Sequence, residues 1–429
     1  MIPRKTILWL FFVLIPMLAC GPAEPEHDAR YYRIQGYQAY QAGDYQDFLT
    51  NYQHALRLAP NHPAVIYNVA AGQALTGHPD SALAGLNRLT RMKLSYPIEA
   101  DDDFASLRSE PKFMSLLKDM DANMRPYGSS TGFLTLPDKA AHFEGLAYDH
   151  VTGAWYFSAV HQPKIMVRDA DGNYGDFATT GRDGLWSILG LQVDSHRQLW
   201  AVGGPMAQML GYADSLEGAS GVYRYDLETG ELVRKYLLEP NPDERHGFND
   251  LVVAGDGTVY ITDGMFSGIY VIDPKRDQLR LFLKPGPIRS AQGIVLTPDE
   301  KYLLVADYSQ GIWRVDRSTG KALLMSLPDD ATLIGLDGLL QYHNSLIGIQ
   351  NGVRPFRVIR AYPNADYSAI GHMEILESNH PAFGEPTLGQ IVDGILYYMA
   401  NSPWGDYHPG GVMFSPDSLA DQVVLQLRL

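Results

Sequence analysis

The chain has 429 residues, 45% of them hydrophobic, 11% aromatic and 19% charged. That balance excludes a disordered polymer and predicts more than one packed unit, because single domains usually hold roughly 100 to 200 residues. A net charge of −15 repels phosphate backbones and argues against nucleic acid as a partner. With Cys20 as its one cysteine, the chain has no internal disulfide, thiolate zinc site or iron–sulfur cluster, so a metal would need oxygen or imidazole ligands.

Residues 1–20 read as an export signal. Arg4 and Lys5 precede an apolar run from Ile7 to Met17 that is too short to span a bilayer. The segment ends Leu18-Ala19-Cys20-Gly21, which resembles the bacterial lipobox, so Cys20 is the expected lipidation site; an ordinary signal peptide cut near Ala19 is the alternative. Residues 21–30, rich in Pro and charge, read as a tether. Together these features predict a protein of the bacterial cell envelope, held to the membrane by its lipid. Gly21 after the cysteine resembles the sorting pattern for the outer membrane, facing the periplasm.

Residues 31–126 have helical spacing and one internal repeat. Gly43-Asp44-Tyr45 aligns with Gly77-His78-Pro79, and Phe48, Tyr52 and Ala55 align with Ala82, Leu86 and Leu89. A helix-turn-helix period of 34 residues is the tetratricopeptide signature. Leu56 to Pro63 resembles the end of such a repeat, and Asp101 to Leu117 is expected to add a final helix pair as a cap. A module of this kind either binds a protein partner in its groove or acts as a spacer.

From residue 132 to residue 429 the pattern is all-β, with short alternating runs between turn signals. Six runs align: those starting at Gly145, Gly190, Asp250, Gly293, Gly338 and Gly389, at spacings of 45, 60, 43, 45 and 51 residues. A second apolar run follows each, and equivalent hairpins recur at Asp226, Asp273 and Asp316. A period near 45 with four strands per unit describes a β-propeller. The expected fold class is therefore mainly β, a six-bladed β-propeller with an N-terminal α-helical, tetratricopeptide-like module. The long second spacing places an insertion at about Pro205 to Ser220, a surface loop or a lid.

Equivalent inner-strand positions of a propeller ring its axis at one level. The residues preceding the six starts are Glu144, Leu189, Asn249, Gln292, Asp337 and Leu388. Two carboxylates and two amides in phase are oxygen ligands for one divalent cation, Ca²⁺ first, with Mg²⁺, Mn²⁺ or Zn²⁺ as alternatives. A water-filled polar channel without a cation is the other reading.

His142-Phe-Glu144-Gly145, Phe248-Asn249-Asp250, Ala291-Gln292-Gly293-Ile294 with Thr297-Pro-Asp-Glu300, and Leu336-Asp337-Gly338 resemble the motifs of the gluconolactonase, senescence marker protein and luciferin-regenerating family. The resemblance runs from about Phe133 to the C-terminus. It implies a six-bladed propeller with one divalent cation on its axis, and relatives that include lactone hydrolases. It makes Glu144 and Asp337 metal ligands and lets Asn249 bind metal-bound water or substrate. Gln292, counted with them in the ligand set, departs from the family's usual Asn by one methylene.

Chemistry would then follow: a lactone or ester carbonyl polarised by the cation, with Asp337 as the catalytic proton acceptor. His142, His246 and Arg289 are expected near the channel mouth as substrate contacts, and Asp263, Asp307 and Asn351 stand at second-strand ends; turn capping is the alternative for each. The leading reading is a lipid-anchored, metal-dependent hydrolase of a small lactone or ester. The rival is a non-catalytic envelope binding or scaffold protein that needs no cation. Two motifs are set aside. Gly128 to Gly132 fits G-x-S-x-G but lies in the linker, without the strand and helix that a nucleophilic Ser130 requires. Asp169-Ala-Asp171-Gly-Asn173 starts like a calcium loop but has Tyr174 and Thr180 where Gly and Glu belong, and reads as a hairpin turn.

Overall fold

The computed structural model describes residues 27–241 and 243–429. The export signal, Cys20 and residues 21–26 of the tether lie outside them.

The chain enters the described region as helix α1 (Ala29–Gln41), two residues before the expected module boundary, followed by α2 (Tyr45–Leu58), α3 (Pro63–Leu75) and α4 (Pro79–Arg91). They pack as consecutive pairs. Gly43 and Gly77 make the two equivalent turns at φ 76° and 79°, a left-handed conformation that a Cβ would penalise. Asp28 and Asp44 cap α1 and α2 by accepting the N–H of Tyr31 and Asp47, while Pro63 and Pro79 open α3 and α4. The expected last helix pair is instead a six-residue 3₁₀ turn (Asp102–Leu107) and α5 (Pro111–Asn123). Pro111 holds the preceding residue extended, so the 3₁₀ turn cannot lengthen into a helix.

The rest forms one short two-stranded ribbon, Tyr407–His408 with Val412–Met413, and six four-stranded antiparallel sheets. Their inner strands are Phe143–Asp149 in blade 1, Ile188–Val193 in blade 2, Phe248–Val253 in blade 3, Ala291–Leu296 in blade 4, Leu336–Tyr342 in blade 5 and Gly389–Val392 in blade 6. Each inner strand packs against those of both neighbouring blades, which closes a ring around an axis. Blades 1 to 5 are contiguous in the chain. Blade 6 takes its outermost strand, Thr131–Thr135, from the start of the domain and pairs it with Val423–Arg428. That pairing ties the two ends of the propeller together.

Between successive blades lie six apolar layers. Strand alternation feeds two layers from one strand: Val259 and Ile261 face Trp200 and Val222 of blade 2, whereas Tyr260 faces Leu303 and Trp313 of blade 4. The helical module has its own core, which Val353 of blade 5 joins. It docks on blade 5 and its loops through polar contacts as well. Asn61 Nδ2 donates to the carbonyls of Pro328 and Ala331 at 2.7 and 2.8 Å, Ser95 donates its N–H to the Arg354 carbonyl at 3.0 Å, and Arg357 Nη1 donates to the Met92 carbonyl at 2.8 Å.

Candidate functional site

In blades 1 to 5 the inner strand carries one extra residue at its start. Phe143 pairs with Ala159 but Leu146 with Phe157, and the same slip recurs at Ile188/Leu191, Phe248/Leu251, Ala291/Ile294 and Leu336/Leu339. This is a β-bulge, which re-aims the residues it contains. The bulged pairs are Glu144-Gly145, Leu189-Gly190, Asn249-Asp250, Gln292-Gly293 and Asp337-Gly338, so each bulge contains one of the phased residues. The glycines are needed because blades crowd at this level: a Cβ on Gly145 would meet the Leu189 carbonyl at 2.5 Å, and one on Gly338 the Thr387 carbonyl at 2.6 Å. Hydroxyls pin the bulges across blades, with Ser158 donating to the Leu189 carbonyl at 2.6 Å, Thr262 to that of Gln292 at 2.7 Å and Thr387 to that of Glu144 at 2.8 Å.

All six phased residues line one axial cavity of about 370 Å³, a size suited to a small ligand. Met206 from the insertion, Met265, Tyr308 and Trp404 add apolar surface to its wall. Glu144, Asp250, Asp337 and Glu385 also line it, and among the described residues no Lys or Arg does.

The four polar phased residues share a hydrogen-bonding pattern. Glu144 accepts from Ser402 Oγ and, at 2.9 Å, from Trp404 Nε1, both on Oε2. Asp337 accepts from Asn351 Nδ2 at 2.8 Å on Oδ2. Asn249 donates Nδ2 to the Ala291 carbonyl at 2.8 Å, and Gln292 donates Nε2 weakly to Ser290 Oγ at 3.4 Å. Among the described residues, Glu144 Oε1, Asn249 Oδ1, Gln292 Oε1 and Asp337 Oδ1 have no protein donor. Each side chain is held by one atom and leaves one oxygen open.

The electrostatics match the absence of cationic side chains. Burial first, then the charge of Asp337, push the Glu144 carboxyl well above the usual range; burial and Glu385 push Asp337 up against the pull of its bond from Asn351. Asp250, which stands where the five other blades have Gly, is raised to about 7, mainly by burial and partly by Asp337. Among the described residues no three His, Cys, Asp or Glu side chains are grouped to hold one ion. An ion on the axis would thus need the amide oxygens of Asn249 and Gln292 beside the two carboxylates.

Two expected substrate contacts stand elsewhere. His142 is fully buried behind Glu144, at φ 55°, with Nδ1 2.6 Å from Tyr407 Oη and Nε2 3.0 Å from Ser402 Oγ. Burial first, and His161 next, depress it to about 3, so it is neutral and acts as a relay that orients Ser402 toward Glu144. Arg289 lies off the axis, its guanidinium 3.1 Å from Asp28 at the start of α1. His246 does line the cavity, with Nδ1 2.6 Å from Asp263 Oδ2. Asp307 caps the backbone N–H of Arg289 and Ser309, while Asn351 holds Asp337. Ser130 is engaged with Tyr398 Oη at 2.9 Å, and Asn173 turns back onto Asp169 at 2.8 Å as a hairpin.

Sequence reading missed Ser402, Trp404, Glu385 and Tyr308. A signal existed for two of them: Tyr308 and Ser402 directly follow the aligned second-strand runs that end at Asp307 and Asn401.

A family model described as Major royal jelly protein matches residues 186–281, within blades 2 and 3. No curated protein matches the chain. Solved structures similar to it include virginiamycin B lyase from Staphylococcus aureus, at 17% identity and TM-score 0.45, over 65% of this chain and 83% of that one. A gluconolactonase from Xanthomonas campestris aligns at 16% identity and TM-score 0.47, over 71% and 98% of the two chains. A luciferin-regenerating enzyme aligns at 14% and 0.48, over 71% and 96%. The fold assigned to this chain rests on its own six sheets.

Proposed function

We propose that the protein hydrolyses a small lactone or ester in the axial cavity, using one divalent cation held by Glu144, Asn249, Gln292 and Asp337. The observation that carries this reading is the set of four open oxygens, one on each polar phased residue of a single cavity. Uncharged and anionic oxygens are the donors that Ca²⁺ prefers, and its irregular coordination accepts the longer Gln292 where a rigid octahedral ion would not. The four carboxylates, on a wall that has no Lys or Arg among the described residues, add the negative field that draws a cation in. A cation bound there would polarise the carbonyl of the substrate. Ser402, Trp404 and Asn351 orient the carboxylates, and Met206, Met265 and Trp404 supply apolar surface for the carbon skeleton.

The test is the ion content of the protein after equilibration with calcium and gel filtration, wild type beside Asp337→Ala, together with turnover on a panel of lactones and aryl esters. One ion per chain and turnover, both lost in the variant, are expected. A wild type that holds no ion and shows no turnover overturns the reading in favour of a non-catalytic binding protein.

The same proposal places the chain at the bacterial envelope, most simply at the outer membrane facing the periplasm, with Cys20 lipidated; labelling with a radioactive fatty acid, lost in Cys20→Ser, checks this. The helical pairs, read as tetratricopeptide-like repeats, give the scaffold reading its own support. A groove of about 1370 Å³ separates α1 and the α2–α3 turn from blades 4 and 5, with Ile34, Tyr37 and Leu58 on its wall, which is surface for a protein partner.

A further inference from the structure

Blades 3, 4 and 5 end their second strands on equivalent polar residues, Asp263, Asp307 and Gln350, paired across from Phe248, Ala291 and Leu336. In each blade that side chain fastens the segment leading into the inner strand. Gln350 donates Nε2 to the carbonyls of Thr332 and Ile334 at 3.1 and 2.6 Å. Asp307 uses both oxygens on its own loops: Oδ2 takes the N–H of Arg289 at 2.6 Å, and Oδ1 takes that of Ser309 at 2.8 Å. Asp263 does the same work with Oδ1 alone, accepting the N–H of Gly247 and Phe266 at 2.9 Å each and of Met265 at 3.2 Å. Its second oxygen is left over, and His246 Nδ1 is 2.6 Å from it.

A carboxylate can only accept, so Nδ1 carries the proton and Nε2 presents its lone pair. The ring is held between Phe266 and Tyr270, with centroids 4.7 and 5.7 Å away. Nε2 has no hydrogen-bond partner among the described residues, and His246 lies on the cavity wall with Asn249. The other ionisable groups facing the ring are Glu244, whose Oε1 is 3.7 Å from Nε2, and Tyr270, whose hydroxyl is 3.5 Å from Nδ1.

We infer that His246 is the proton-transfer residue of the axial cavity and that Asp263 is its positioning residue. The inference rests on the hydrolase reading and moves to His246 the role that spacing first suggested for Asp337. Asp337 is counted among the cation's ligands and is held by Asn351, whereas His246 keeps Nε2 without a partner among the described residues, and an imidazole nitrogen can take up a proton and give it back. As the oxygen of a water molecule bonds to the substrate carbonyl carbon, its proton passes to Nε2. When the acyl carbon–oxygen bond breaks, Nε2–H returns that proton to the leaving alkoxide. One water is consumed, the imidazole ends as it began, and Asp263 holds Nδ1 in place throughout.

The experiment uses the full chain with p-nitrophenyl acetate and a panel of γ- and δ-lactones. His246→Ala is expected to lower kcat by about 10²–10⁴-fold with KM and calcium binding near wild type. Added imidazole restores part of that rate to His246→Ala and none to Asp337→Ala. His246→Gln, which keeps a donor for Asp263, folds as wild type and is equally slow. Nitrogen NMR on the wild type shows His246 as the Nδ1–H tautomer, and Asp263→Asn loses that preference together with kcat. Wild-type kcat in His246→Ala, or an Nε2–H tautomer in the wild type, overturns this inference and leaves the hydrolase reading standing. No turnover by the wild type on any probe removes both.

Discussion

Arg357 in blade 5 reaches across the domain boundary and donates Nη1 to the backbone carbonyl of Met92 at 2.8 Å, with its side chain fully buried. Its Nε donates to Gln350 Oε1 at 2.5 Å, so one guanidinium joins the end of α4 to the second strand of blade 5. Burial lowers its proton affinity to about 10, which still leaves it charged at neutral pH. Truncation strands two acceptors and opens a void in the same place. Arg357→Ala is expected to destabilise the fold by about 3 kcal/mol. Urea unfolding at neutral pH checks this, and a change below about 0.5 kcal/mol would show that the contact does not hold the units together.

Trp404 donates Nε1 at 2.9 Å to Glu144 Oε2, the same oxygen that accepts from Ser402, and leaves Oε1 open. A bond to the ionised form favours that form, so its removal raises the Glu144 carboxyl further. Trp404→Phe keeps the apolar wall and is expected to weaken calcium binding about tenfold, in line with other partners that orient ligands. Titration calorimetry measures it; unchanged affinity would separate Glu144 from the ion.

Asp250 occupies a position that is Gly in the five other blades, and its carboxyl is raised to about 7. A folded value above the unfolded one, about 3.9, means that the native state binds the proton more tightly. Stability from this group is therefore present at low pH and is lost as pH rises between those values. Asp250→Asn removes the ionisation. In EDTA, its stability relative to wild type should improve from pH 5 to pH 8 by roughly 1–2 kcal/mol, discounted because water reaches the cavity wall. A difference independent of pH would contradict the assignment.

His62 precedes α3 and accepts from Arg33 Nη1 at 3.1 Å on Nε2, leaving Nδ1 without a partner. Burial first and Arg33 next lower it to about 4. With the folded value below the unfolded one, the native state resists protonation, so stability is full above about 6.5 and falls as pH drops toward 4. Wild type should lose about 2 kcal/mol between pH 7 and pH 4.5 relative to His62→Gln, which cannot titrate. Parallel curves for the two proteins would assign acid sensitivity elsewhere.

The six-fold phase of the propeller was legible because the inner strands start alike: blades 1 to 5 share a bulge there, and five of the six blades place Gly directly after the phased residue. Crowding between blades selects Gly at 145, 190, 293 and 338, and the bulge turns the preceding side chain to the axis. Residue identity alone therefore located Glu144, Leu189, Asn249, Gln292, Asp337 and Leu388 on one cavity. His142 and Arg289 were beyond such reading, because their neighbours are Ser402, Tyr407 and Asp28, which are hundreds of positions away in the chain.

The amino-acid sequence by itself determined what depends on local geometry: helical period in the first unit, the two Gly turns, strand alternation, and the order of the blades. Tertiary structure decided what depends on closure. Pairing Thr131–Thr135 with Val423–Arg428 brings the loop of Ser402 and Trp404 to Glu144. Packing blade against blade lets Thr262 donate to the Gln292 carbonyl and Thr387 to that of Glu144, which fixes the bulges around the cavity. Backbone periodicity writes the first set into neighbouring residues; the second follows from long-range strand pairing, which has no local period to read.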